Sequence, residues 1–535
     1  MSTISRKNFL RTAALASASG MFTRAFNADA QQHHSNAPHA AFCHGVASGD
    51  PLPTSVVLWT RITPEPDAFP GSGRGPDVPV RWEIARDLDF SSVVASGDTV
   101  ATSASDHTVH VDPFTLEPDT LYFYRFHALG QVSPIGRTRT APAANADVEQ
   151  LRIAVCSCAN WESGYFSAYR DLAERAQAGL IDIAIHVGDY IYEYERGKMA
   201  GKLGAVRAHQ PPWETVSLAD YRLRYGTYRT DPDLQAAHAA VPWVVTWDDH
   251  EIADNAYRDG AKNHQPHEGD YSLRRRNAMQ AYFEWQPLRA GNPSEGGHLY
   301  RRLNFGQLAE LVMLDLRSYR ASYGDIRWLT GTNAPDVMGG EQFAWLERQI
   351  ATSTASWRLV GNSVMLAKLE LVAVPHEVRT ALQEMIGHDV RTPVMSDQWD
   401  GYTSDRERLL SMLSSLDSRT VFFTGDIHSE WGNEIVHNDA VVAAEMVCTS
   451  VSAMNVDDYL FLPEFNPLST TAQQHIMQAN NHVKHVQLDA HGYCIATITK
   501  NWVEMAWLRV ANKADPQSAV TVAAQMRYDG HTLHP

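Results

Sequence analysis

A chain of 535 residues that is 44% hydrophobic and 20% charged has the length for two or three cored domains and is too apolar for a disordered one. Its net charge of −17 excludes a broad basic face for nucleic acid and suits a soluble exported protein, or one whose clustered carboxylates hold cations. The five cysteines are an odd number, which excludes a fully paired disulfide framework.

Residues 1–30 read as a targeting segment. A basic start, Ser5-Arg6-Lys7-Asn8-Phe9-Leu10-Arg11, precedes a weakly apolar stretch at 12–20 that is too short to span a bilayer. Ala28-Asp29-Ala30 supplies small residues for cleavage. The start resembles a twin-arginine (Tat) signal with Lys7 in place of the second arginine; an ordinary secretory signal is the alternative. This start implies an exported, periplasmic or secreted location; no later apolar run is long enough for a transmembrane helix. Residues 31–40, with His33, His34 and His39, read as a linker.

Residues 41–142 read as all-β: β-rich runs at 55–61, 80–84, 107–111 and 121–126 alternate with Gly, Pro and Asp turns. About one hundred residues suit an immunoglobulin-like or fibronectin-like sandwich. Residues 143–150 are the expected linker, and 151–535 the catalytic domain. Beyond 151, strands alternate with helices, which predicts an α/β core. Strands are expected at 151–155, 181–185, 241–247, 311–314, 357–360, 420–424 and 445–448, and helices over 167–178 and 215–238.

Four of these apolar runs end in groups that bind metals: Cys158, then Asp189 with Tyr192, then Asp249 with His250, then Asp426 with His428. In α/β sheets, sites form beyond the carboxyl ends of strands, so the four ends can converge. Asp189, next to the close turn at Gly188, is the candidate bridge between two cations. Each group alone has an ordinary role as a turn, cap or core residue; it is the repetition that points to a metal centre. Thiolate and phenolate with carboxylates suit Fe(3+). The remaining carboxylates suit a harder divalent ion such as Ca(2+).

Several motifs together resemble the PhoD family of alkaline phosphatases and phosphodiesterases. They are Cys158 with Trp161, Gly188-Asp189-Tyr190-Ile191-Tyr192-Glu193, Trp247-Asp248-Asp249-His250-Glu251, Leu314-Asp315-Leu316-Arg317, Trp399-Asp400-Gly401-Tyr402 and Gly425-Asp426-Ile427-His428. Gly45-Val46-Ala47-Ser48-Gly49-Asp50-Pro51 and Leu58-Trp59-Thr60-Arg61 extend the resemblance into the first domain. It implies a multidomain α/β protein: an N-terminal fibronectin/immunoglobulin-like sandwich before a four-layer αββα, calcineurin-like metallophosphatase core. It also implies an iron and calcium centre and export through the Tat machinery. Carried over by position, Cys158, Asp189, Tyr192 and Asp426 would ligate iron, while Asp249 and His428 would help hold calcium, with Asp189 shared.

The expected function is an exported, metal-dependent phosphoric ester hydrolase in which a metal-bound hydroxide attacks phosphorus in line. His250 is the candidate proton donor to the leaving group. Arg207, Arg222 and Arg317 are the candidate phosphate clamps, with Arg207 first because it lies downstream of the Asp189 loop. The alternatives are a phosphodiesterase or phospholipase D-type hydrolase of lipid or cell-wall polymer headgroups and, from another class, a non-catalytic cell-envelope binding protein.

Overall fold

Two β-sheets stack face to face on one apolar layer, and the computed structural model shows how the sequence builds it. The structure describes residues 39–322, 336–371, 374–385 and 397–535. The expected targeting segment 1–30 lies outside them.

The first sheet has ten strands. Its centre is Gln150–Cys156, Ile183–Val187 and Trp243–Thr246, paired in parallel. The second has seven, with Ala309–Met313, Trp357–Asn362, Thr420–Thr424 and Ala440–Val447 in parallel at its centre. Alternate residues of the apolar runs face opposite ways. Ile153, Val155, Ile185 and Val187 turn toward Leu311, Leu359, Val421 and Met446 of the other sheet. Ala154, Cys156, Ala184 and Val245 turn outward beneath helices Ser167–Gln177, Leu218–Arg229, Pro232–Ala240 and Tyr271–Trp285. Burial on both faces is why these strands are continuously apolar rather than alternating. Helices Gly339–Thr352, Thr403–Ser414 and Pro467–Ala479 cover the outer face of the second sheet.

The N-terminal β region departs from a self-contained sandwich. Val46–Leu52, Ser55–Arg61 and Thr108–Val111 are the last three strands of the ten-stranded sheet. Gly49 pairs in parallel with Trp243, and a Cβ on it would lie 1.9 Å from the Pro287 carbonyl oxygen, so only glycine fits. The other strands, Val78–Ala85, Val93–Ala101, Leu121–Ala128, Gln131–Val132 and Gly136–Arg139, form a five-stranded sheet. Val80, Ile84, Tyr124 and Phe126 of this sheet pack on Val46, Val56 and Leu58. The sandwich therefore shares a layer with the core, and Ala40–Pro535 make one compact unit.

The single helix expected over 215–238 is two. Asp231 caps the second, accepting from the Asp233 and Leu234 amides at 2.9 Å, and Pro232 occupies its first turn, where a missing N–H costs nothing.

Among the described residues, no helix is long and apolar enough to cross a membrane.

Candidate metal centre

The expected ligands arrive from both sheets. Cys158 follows Gln150–Cys156, Asp189 and Tyr192 follow Ile183–Val187, Asp249 and His250 follow Trp243–Thr246, and Asp426 and His428 follow Thr420–Thr424. At three of the four strand ends the backbone turns through the left-handed region. Cys158, Asp189, Asp426 and His428 all have left-handed backbones, with φ of 58°, 58°, 63° and 46°. Non-glycine residues held there store strain, a cost that surrounding contacts must offset and that clusters at functional sites. Gly188 permits the approach: a Cβ there would lie 2.4 Å from the Asp248 Cβ. Glu251 then ties the turns together, accepting from the amides of Asp189 at 3.0 Å, Tyr190 at 2.7 Å and Asp248 at 3.0 Å.

The side chains converge. Asp189 Oδ2 lies 3.5 Å from Cys158 Sγ and accepts from the Tyr192 hydroxyl at 3.3 Å. Tyr192 Oη is also 3.0 Å from His428 Nε2, whose Nδ1 is fixed 2.7 Å from the Met454 carbonyl oxygen. Three overlapping sets place one donor atom from each member within 4.8 Å of the others: Cys158, Asp189 and His428; Asp189, Asp249 and His250; Asp189, Asp248, Asp249 and Asp426. Asp189 belongs to all three sets, as a bridging ligand must.

So much buried acid is unstable without positive charge. Burial, and then the neighbouring carboxylates, push Asp189 and Asp426 well above the usual carboxylate range. Burial and then Asp189 likewise raise the Cys158 thiol and the Tyr192 phenol. Asp249 Oδ1 is buried without a hydrogen-bond donor. Cations set among these groups would neutralise the carboxylates and ionise the thiol and phenol, so the residues present fit a metal centre.

The arginines are sorted by their partners, and the first choice is corrected. Arg207 donates from Nε to the Trp161 carbonyl at 3.0 Å and from Nη2 to the Gly164 carbonyl at 3.2 Å. It also pairs with Asp231 through Nη1 and lies 3.8 Å over the Trp161 ring. These bonds and the ring contact commit it to packing rather than to a phosphate. Arg222 is spent on Glu284 at 2.7 Å. Arg317 does reach the centre, but as an internal counter-ion: it is completely buried and meets Asp248 at 2.5 Å, Asp397 at 3.2 Å, Asp426 at 3.3 Å and Asp249 at 3.6 Å.

Glu193, Asp248, Glu251, Asp397 and Gln398 were not assigned roles from sequence. Glu193 Oε2 lies 2.7 Å from His250 Nδ1. Gln398 donates to Asp426. Four of the five lie within motifs already named or beside one, so a signal was present; Asp397 is recognised only through its contact with Arg317.

The model of the family described as PhoD-like phosphatase matches residues 153–507, and that of its N-terminal domain matches 28–142. The chain belongs to the PhoD-like phosphatase family. It is 34% identical over 524 residues to alkaline phosphatase D of Bacillus subtilis (strain 168), covering 94% of this chain and 83% of that one. A solved structure described as "Structure of PhoD" superposes with a TM-score of 0.80 at 33% identity over 93% of each chain. The chain is thus an alkaline phosphatase D-like phosphoric ester hydrolase.

Proposed function

We propose that hydrolysis takes place at this centre, with Cys158, Asp189, Tyr192 and Asp426 holding iron and Asp249 and His428 helping Asp189 to hold calcium. The single observation that carries the reading is the presence of Asp189 in all three ligand sets. Bound there, the cations would neutralise phosphate oxygens and acidify a water. The protein's own part is to present the ligands and to manage the leaving group's proton. His250 is its donor. Burial opposes its charge, but Asp249, Glu193 and Asp189 together raise its pKa well above the ordinary value. Metals would cancel the carboxylates of Asp249 and Asp189, leaving Glu193 to keep the imidazolium charged. The ring also packs against Tyr192, with centroids 4.2 Å apart and planes tilted by 31°, beside the candidate ligands.

The finer architecture is part of the same proposal: a four-layer, calcineurin-like core with an immunoglobulin-like N-terminal domain. So is export, supported by the basic start at Arg6-Lys7.

The test is the rate on p-nitrophenyl phosphate and bis(p-nitrophenyl) phosphate with purified, metal-analysed protein. Release from at least one, supported by calcium and with iron present, is expected. Full activity after exhaustive calcium chelation would remove calcium from the centre, and iron-free active protein would remove iron.

A further inference from the structure

With Arg207, Arg222 and Arg317 committed to packing and internal ion pairs, a cation that faces both the centre and solvent is still needed. Lys262 is half-exposed and lies within electrostatic reach of Asp249. It lies on a loop closed by the Asn263 amide on the Asp254 carbonyl at 3.1 Å and by the bridge between Tyr257 and Gly260. The loop is fastened to the His250 partner itself: Glu193 Oε1 accepts from the Asp254 amide at 2.7 Å and from Asn263 Nδ2 at 2.8 Å. Lys262 Nζ is 2.9 Å from Asp254 Oδ2, which also accepts from the Tyr194 hydroxyl at 2.7 Å. Its side chain is 47% exposed. Arg317 and Arg320, in contrast, are closed to substrate.

We propose that Lys262 is a specificity-determining residue whose ammonium meets the non-bridging oxygens of the substrate phosphate at the mouth of the centre, beside His250. The proposal rests on the hydrolase reading above and deepens it by naming the substrate charge that the site prefers. The Asp254 carboxylate is buried while the ammonium is half-exposed, so the pair neutralises the carboxylate and still leaves the ammonium facing solvent. Asp254 acts as a tether: it holds the ammonium near the site while leaving some of its donors free, since an ammonium has three. Partial burial opposes its charge, but Asp254, and more remotely Asp249 and Asp397, raise its pKa, so it stays cationic in alkaline solution. A fixed point charge attracts a dianion about twice as strongly as a monoanion at the same distance. Lys262 therefore favours dianionic phosphomonoesters over monoanionic diesters.

The experiment compares metal-loaded wild type with Lys262→Met and Lys262→Arg on p-nitrophenyl phosphate and bis(p-nitrophenyl) phosphate, with inorganic phosphate as competitive inhibitor. Wild-type turnover checks the hydrolase reading separately. For Lys262→Met, KM for the monoester is expected to rise about tenfold and for the diester about threefold, with phosphate inhibition weakened in step with the monoester. Lys262→Arg should restore most of the loss, with metal content and Tm held in both variants. An active wild type whose Lys262→Met variant shows equal KM changes on the two esters, or none, overturns the proposal. So does a loss that follows Tm or metal content, which would mark a merely structural lysine.

Discussion

Glu193 Oε2 and His250 Nδ1 are 2.7 Å apart, and Glu193 is fully buried with its other oxygen held by the Asp254 amide and Asn263. The carboxylate fixes which ring nitrogen faces the ligands. Burial works against its ionisation, but His250 beside it holds its pKa below the usual value. The pair is therefore ionic in the folded protein.

This relationship predicts a pH effect. His250→Ala should lower kcat by about 10²–10⁴-fold with metals retained, the range for a lost general acid. Glu193→Gln removes the charge that raises the His250 pKa, so the alkaline limb of the kcat profile should move to lower pH. A limb that stays in place would show that another group donates the proton.

Tyr192 carries the prediction for iron. Its hydroxyl is buried against Asp189 and His428, whereas Tyr190 bonds His238 at 2.9 Å and Tyr194 bonds Asp254 at 2.7 Å. Tyr192→Phe should abolish a visible absorption band and most activity while leaving the circular dichroism unchanged. Tyr190→Phe and Tyr194→Phe should keep the band. An undiminished band in the Tyr192 variant would place the phenolate elsewhere.

Arg207 is expected to report on folding. Arg207→Ala leaves Asp231 without its ion-pair partner and strips the Trp161 face, and should cost about 2 kcal/mol of stability or more. Its kcat/KM should stay within about twofold of wild type, in contrast to loss of a phosphate contact, which would cost tenfold or more. Thermal denaturation and steady-state rates on the same sample separate the two outcomes.

Stability should fall in acid. Burial lowers the His186 pKa from 6.5 to about 3, so the unfolded chain takes up a proton that the folded one refuses. Stability from this neutral histidine is complete above about pH 6.5 and is lost as pH falls toward 3, by about 1.4 kcal/mol per unit. His238, stacked 4.2 Å from Trp243, is likewise held neutral, first by burial and then by Arg229. His186→Gln should flatten the dependence of the urea midpoint on pH between 6.5 and 4. An equally steep dependence would assign the acid sensitivity to other groups.

Much of the candidate centre was legible because its residues follow closely on apolar strands, a local pattern that survives folding. Cys158, Asp189, Asp426 and His428 follow apolar runs that read as buried strands. The break at Asp231-Pro232 is equally local, but the residues on both sides of it are helical, so a single helix over 215–238 fits the pattern as well.

What the sequence by itself determined is the set of metal-competent residues at the strand ends and the α/β character of the core, since both depend on residues adjacent in the chain. Tertiary structure alone decided the rest. An arginine's role depends on which partners its long side chain meets, and Arg207 meets Asp231 while Arg317 meets Asp248, Asp397 and Asp426, contacts that span up to 109 residues. The N-terminal strands joined the core sheet through the pairing of Gly49 with Trp243, because a strand edge takes whichever partner the fold brings to it.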